Sequence, residues 1–257
     1  MPPAPPTSSG FPVPDQEAIG AIAPSGVLRV GINLSNFLLV SGTGPGGAPT
    51  GLSPSMAGAL AEALSVPVEF VTFPDPGQLV DTLATDDLDI GNIGADPSRA
   101  EYVEFTAPYC EIDATYLVRG DSAIATMDQV DRHGIRIATR RRAAYTLWLD
   151  RNIVDADLVH AESHDESLEV FVSDRLEVLA GLRPRLLDDA ERVAGSRLLD
   201  GRFTSVQQAI GIHRNRGAAG LSYLEGFVRW AVESGFAADV IEHYGVRGLS
   251  VPGPTAG

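Results

Sequence analysis

Strand-forming and helix-forming runs alternate along this chain, and that alternation constrains its fold more than any other feature. Strand patterns fall at Leu28–Ile32, Val68–Thr72, Asp89–Ile93, Ala114–Val118, Ile135–Ala138 and Val178–Gly181. Helical patterns fall at Pro54–Leu64, Pro76–Thr85, Tyr145–Arg151, Glu166–Val172, Arg183–Val193 and Leu221–Ser234. Short apolar runs interleaved with amphipathic helices read as a parallel, doubly wound α/β sheet. Ligands of such sheets sit at loops beyond the carboxyl ends of the strands. The 257 residues, 44% of them hydrophobic, suffice for one large or two small cores. The sequence shows no internal repeat.

Charge and cysteine content narrow the function classes. The net charge of −15 disfavours sequence-independent nucleic-acid binding, which needs a basic footprint. The single cysteine, Cys110, excludes an intrachain disulfide and a cysteine-based metal cluster. Beside the Pro108-Tyr109 turn it reads as a buried thiol. The five histidines lack zincin spacing, and no metal or cofactor is expected. On a helix, His160 and His164 would share a face, which Asp165 and Glu166 make a solvated one. No run reaches membrane-spanning length. Residues 1–14 are rich in proline and serine, with no cationic region or apolar core of a signal peptide, so the sequence as given reads as cytoplasmic. Pro-Pro-Ala-Pro-Pro is expected to be extended and mobile, and Asp15 to cap a short helix reaching Ala23.

The richest chemistry lies at Gly91-Asn92-Ile93-Gly94-Ala95-Asp96-Pro97-Ser98-Arg99, followed by Glu104-Phe105-Thr106-Ala107-Pro108-Tyr109. Leu88-Asp89-Ile90 reads as a short buried strand. Gly91 to Ala95 reads as a loop where backbone approaches a ligand closely. Asp96-Pro97 reads as a helix start, with Arg99 in its first turn beside free N–H groups. That combination suits a small carboxylate or phosphate. Ordinary capping, with Arg99 paired to Asp96 or Glu101, explains the same residues.

Taken in order, Leu28-Arg29-Val30-Gly31-Ile32-Asn33, the Gly51-to-Leu64 helix, Asp89-Ile90, the Arg99 turn and Glu104-to-Tyr109 resemble the extracytoplasmic solute-binding proteins of family 3. These are the polar amino-acid receptors of ABC importers, and the resemblance runs from about Gly26 to Tyr244. It implies a two-lobed type II periplasmic-binding-protein fold, each lobe a mostly parallel sheet flanked by helices, with the ligand cleft between them. Lobe 1 would take 26–113 and 203–257, lobe 2 114–202, behind a proline-rich 1–25 segment with a short helix. The hinges would lie near Asp113-Ala114 and Gly201-Phe203, and closure on the ligand is the implied motion.

The resemblance also assigns a site. Arg99 would fork onto the ligand carboxylate, which Lys could not reproduce. Asp96 stands where the family has Thr or Ser, and would repel an anion unless turned down as a cap. Asn92 and Gly94 match loop positions offering backbone groups, and Asn33 matches the cleft floor. Asn36 and Phe37 replace an aromatic-proline pair, Phe37 serving as a lid or as core packing. Arg142-Ala143-Ala144-Tyr145 replaces the usual Gly-Ser/Thr-Thr, which leaves Arg142 and Tyr145 as candidate contacts. Gly181, Leu182 and Arg183 end a strand where receptors place the aspartate that pairs with ligand ammonium. Either the ligand lacks a free α-amino group, or Glu111 or Asp113 supplies the acid. Gln207 would reach the ligand side chain.

The implied function is a monomeric, non-catalytic receptor for a small anionic or zwitterionic ligand (amino acid, derivative or dicarboxylate). An ABC permease is its implied partner. Two alternatives stand beside it: an enzyme resembling cyclohexadienyl dehydratase, with Glu111 or Glu177 as the acid, and a cytoplasmic ligand-sensing module.

Overall fold

The computed structural model describes residues 10–253, so the expectation for Pro-Pro-Ala-Pro-Pro lies outside the described residues. These residues divide into two compact units. One comprises 10–111 with 207–253, the other Ile112–Val206.

In the first unit, α1 (Gln16–Ile22) precedes β1 (Leu28–Asn33). A short hairpin of β2 (Gly42–Thr43) and β3 (Pro49–Thr50) leads to α2 (Leu52–Leu64), β4 (Val68–Phe73), α3 (Pro76–Ala84) and β5 (Ile90–Gly94). β6 (Val103–Phe105) then precedes β7 (Cys110–Val118), which carries the chain into the second unit. That unit holds β8 (Arg136–Arg140), α4 (Ala144–Asn152), β9 (Asp157–Ala161), α5 (His164–Ser173), β10 (Val178–Leu182), α6 (Arg183–Arg192) and β11 (Arg197–Leu198). β12 (Thr204–His213) returns the chain to the first unit, which α7 (Ala218–Glu233) and α8 (Phe236–His243) complete.

The strand order β4-β1-β5-β12 in the first unit matches β9-β8-β10-β7 in the second. In both, the first three strands are parallel and the fourth is antiparallel. A short strand adds antiparallel to the fourth in each, β6 on β12 and β11 on β7. The sheets are therefore mixed, where the sequence patterns predict parallel ones. A repeat also exists, in topology, that the sequence does not display.

One clamp recurs in both units. Asp89, fully buried just before β5, accepts the Arg29 backbone N–H at 2.7 Å and Arg29 Nη2 at 2.9 Å. Arg29 Nη1 meanwhile donates to the Asp87 carbonyl. Glu177, just before β10, accepts the Arg136 backbone N–H and Nε, each at 2.9 Å, while Arg136 Nη2 donates to the Arg175 carbonyl. A bidentate guanidinium aligned with a backbone donor fixes the relative register of two parallel strands. Among the described residues only the first clamp is reinforced, by Arg216 Nη2 on Asp89 at 3.1 Å.

Helix α3 lies tight on the first sheet because three glycines stand in register there. Gly91 pairs with Gly31 on one side and Gly211 on the other. A Cβ on Gly31 or Gly91 would come within 2.8 Å of a leucine side chain, Leu88 or Leu79. Gly91 thus makes room for helix packing inside β5, and the expectation of a ligand loop starting there is corrected. Gly51 is also obligatory: at φ 136° a Cβ would stand 2.4 Å from the Leu39 carbonyl. The expected N-terminal helix is capped by Asp15, which accepts from Ala18 N–H at 2.8 Å. Ala18 and Ile22 bury it in the first unit's core, and Phe11 lies against Trp230 with ring centroids 4.0 Å apart. Residues 10–25 are therefore built into this unit rather than standing before it.

The clamps predict unequal stability losses. Asp89→Ala leaves two arginine guanidinia facing a buried gap and costs about 3 kcal/mol. Glu177→Ala opens a half-exposed pair and costs about 1 kcal/mol. Urea unfolding of both variants checks the order.

Candidate functional site

In the first unit, the candidate residues gather where β1 and β5 end. Asn92 sits inside the ladder between Ile32 and Ile210. Its side-chain amide is buried and donates to the Ser53 carbonyl at 2.8 Å. It is a strand residue facing α2, not the loop residue expected. Gly94 closes β5, and its carbonyl accepts Arg99 Nη1 at 2.5 Å. The chain then turns through Pro97–Arg99, a single turn of 3-10 helix rather than an α-helix. The expected helix dipole is correspondingly absent from this turn. Asp96 caps it, its carboxylate accepting from Ser98 N–H at 2.9 Å and Ser98 Oγ at 2.7 Å. That is the turned-down orientation under which an aspartate is compatible with a nearby anion.

Arg99 itself is only 6% exposed. Its seat on a backbone carbonyl orients the guanidinium plane, the preorganisation a bidentate carboxylate contact requires. Gln207 enters beside it, because Ala95 N–H donates to the Gln207 carbonyl at 2.7 Å. On the adjacent strand end, Asn33 accepts from Ser35 N–H and Oγ, and Asn36 accepts from Leu38 N–H. These two side-chain turns carry Phe37, which is 39% exposed, so core packing is not its role.

In the second unit, the loop after β8 passes through Arg142 at φ 58°. This left-handed geometry is where the family resemblance expects glycine, and a side chain there is strained. Arg142 is exposed, and Ala143 starts α4 without a side-chain cap. Tyr145 is fully buried, and burial pushes its phenol pKa up. Gly181 faces α6, and its missing side chain makes room for Leu186, which a Cβ there would meet at 3.0 Å. Leu182 caps α6 without a side-chain bond, and Arg183 donates Nη2 to the Gly201 carbonyl.

The alternative acids are committed elsewhere. Hydrogen bonds from Arg136 hold the Glu177 carboxyl below its usual range, the reverse of what a proton donor needs. Asp113 accepts Arg202 Nη1 at 2.7 Å. Glu111 lines a groove with Pro108, Glu225 and Arg229 on the α7 side. Cys110 is fully buried, and burial raises its thiol pKa. Among the described residues no group of three metal-ligating side chains occurs.

Sequence reasoning missed His164. It begins α5, whereas His160 lies on β9 bonded to Asp150 at 2.8 Å, so the two share no helix face. Arg140, 4% exposed, places Nη1 3.1 Å from His164 Nε2. Arginine only donates, so Nε2 accepts and the imidazole is the neutral Nδ1–H tautomer. Burial first, then the nearby Arg140 and Arg185, push its pKa down to about 3, against a smaller opposing effect of Asp165. The signal in sequence was the Arg140-Arg141-Arg142 run, but only its topology shows which arginine turns inward.

The chain belongs to the bacterial extracellular solute-binding proteins, family 3, whose model matches residues 28–244. No curated protein matches it in sequence. Its fold is that of solved amino-acid-binding proteins. A solute receptor for L-cysteine of Neisseria gonorrhoeae is 20% identical, with TM-score 0.71 over 90% of this chain and 95% of that one. An ancestral amino acid-binding protein, a precursor of cyclohexadienyl dehydratase, is 23% identical, with TM-score 0.69 over 88% and 98%. An amino acid ABC transporter substrate-binding protein from Streptococcus pneumoniae, bound to L-arginine, is 14% identical, with TM-score 0.69 over 87% and 96%. No helix among the described residues is long and apolar enough to cross a membrane.

His164 makes stability pH-dependent with a definite sign. Its folded pKa near 3 lies below the unfolded value near 6.5. Its contribution is therefore complete above pH 6.5 and is lost as pH falls towards 3. The loss reaches about 1 kcal/mol per pH unit between pH 6 and 4. Chemical unfolding at several pH values, wild type against His164→Gln, should show a steeper acid loss in the wild type.

Proposed function

We propose that the protein is a non-catalytic receptor for a small carboxylate-bearing ligand, working with an ABC importer. The observation that carries this reading is Arg99, buried at the end of β5 and seated on the Gly94 carbonyl beside a capping Asp96. Membership of the solute-binding family supports the same role, and Gly94, Gln207, Asn33 and Phe37 are the neighbouring contacts we assign in the first unit. In the second unit we assign Arg142 and the backbone at the start of α4.

The ligand class follows from what the second unit lacks. An ammonium site needs a carboxylate, and the end of β10 offers Leu182 followed by an Arg183 bonded to Gly201. The two substitute acids do not make up for it, Asp113 being bonded to Arg202 and Glu111 lying on the α7 groove. We therefore favour dicarboxylates and acids without a free α-amino group over ordinary amino acids. Commitment of Glu177 to its clamp disfavours the dehydratase alternative.

A thermal-shift panel of dicarboxylates, keto acids and amino acids tests the assignment. A true ligand at about a hundred times its Kd adds about 2.7 kcal/mol, a rise of several degrees for a chain of this size. The shift should vanish in Arg99→Ala and fall strongly in Arg99→Lys, which keeps the charge but loses the fork. Stabilisation by neutral amino acids in preference to dicarboxylates would refute the ligand class.

A further inference from the structure

A row of three aromatic rings crosses one face of the second unit. Tyr116 and Phe203 stack with ring centroids 4.5 Å apart and planes 26° apart, and Trp148 lies against Phe203 at 5.4 Å. Strand geometry fixes which face this is. Tyr116 and Ala114 are two apart on β7 and share a face, and Leu182 of β10, directly opposite Ala114, shares it too. Gly181 points the other way, to the side where Leu117, Leu179 and Leu186 pack. Phe203 N–H donates to the Ala114 carbonyl, so Phe203 and Leu182 flank Ala114 on opposite edges of β7. The aromatic row therefore starts next to Leu182, at the strand end where an ammonium group would need a carboxylate.

The same face carries the start of α4. Tyr145 and Leu149, four residues apart, are buried and seat this helix on its unit. Trp148 lies off that line: it follows Ala144 by four residues and stands one turn beyond the helix start assigned above to the ligand. Tyr116 is 2% exposed at the inner end of the row, whereas Phe203 and Trp148 are only half-buried. Aromatic rings gain most when covered by another flat ring in offset or tilted contact, and ligand sites are lined by such side chains. We propose that Trp148 and Phe203 form an aromatic wall of the ligand site in the second unit, and that the ligand is an aryl-bearing carboxylate without a free α-amino group. Leu182 continues the wall with apolar surface where a charge would otherwise be needed. The acid half of this assignment rests on the Arg99 reading; the wall does not.

Calorimetric titration of the full chain with 3-phenylpropanoate, 3-cyclohexylpropanoate, succinate and 3-phenylpropanol tests this. The two propanoates share charge and chain and differ in the flatness of the ring. The phenyl acid should bind about fivefold more tightly than the cyclohexyl acid, the gain of one aromatic contact. Equal affinity overturns the wall, and this comparison needs no variant. In Trp148→Leu the ratio should fall to about one, a change in selectivity that a merely structural role would not produce. Phe203→Leu reads the same ratio should Trp148→Leu not fold, and an unchanged ratio in a folded variant overturns the proposal. Succinate binding that is lost in Arg99→Ala, with no binding of the phenyl acid, overturns this inference and leaves the receptor reading intact. Phenylpropanol binding that is lost in Trp148→Leu, with no acid depending on Arg99, leaves the wall standing and removes the carboxylate reading. Binding of none of the four overturns both.

Discussion

The pairing of a strand-start arginine with an acid preceding the next parallel strand underlies the rest of this structure. Arg29 with Asp89 and Arg136 with Glu177 each join a side-chain fork to a backbone donor. A slip of one residue would break all of these contacts and turn every side chain of the strand to the other face. The register fixed at the amino ends of β1 and β5 is inherited at their carboxyl ends, where Asn33 and Gly94 begin the turns that carry the candidate site. Structural charge and candidate binding charge therefore lie at opposite ends of the same strands.

The two units carry out this plan with different reserves. The first adds Arg216 to the clamp, and Arg216 also reaches Asp86 and the Ala21 carbonyl, linking the end of β12 to α1. The second has one half-exposed pair there and places its buried charge at the other end, where Arg140 meets a neutral His164 and Arg185 lies between Asp165 and Asp189. Of that cluster, Asp165 is held below its usual carboxylate range by Arg185, whereas burial raises Asp189. Acid should accordingly weaken the second unit through its imidazole.

Much of this was legible in the sequence, for identifiable reasons. Helices with a strong start signal were read closely: Asp15 caps α1, and Pro76 behind Asp75 starts α3. The family was legible because several weak motifs stand in one order, and the Asp96 cap because Asp-Pro at a turn has few alternatives. What was missed depends on long-range pairing. β12 pairs across more than a hundred residues with β5, and the Gln207-Gln208 pair inside it breaks the apolar alternation that would announce it. Gly91 was misread because a glycine that admits a ligand and one that admits Leu79 look the same in sequence. His164 was read as surface because its neighbours Asp165 and Glu166 are acidic, while the arginine it meets lies 24 residues earlier.

The same contrast explains why site residues are harder to read than folds. Asn92, Tyr145 and Gly181 occupy positions that the resemblance assigns to ligand, yet each side chain, or its absence, is directed into its own unit: Asn92 to Ser53, Tyr145 into the interior, Gly181 against Leu186. Backbone position is inherited from strand register, but side-chain direction depends on which neighbour has changed. Where the Ser53 carbonyl stands opposite it, the asparagine on β5 turns inward. Where Leu186 presses on β10, only glycine fits opposite it. Specificity in such a scaffold is therefore altered from behind as well as from the ligand side, because a substitution one layer deeper decides whether a site residue faces the ligand at all.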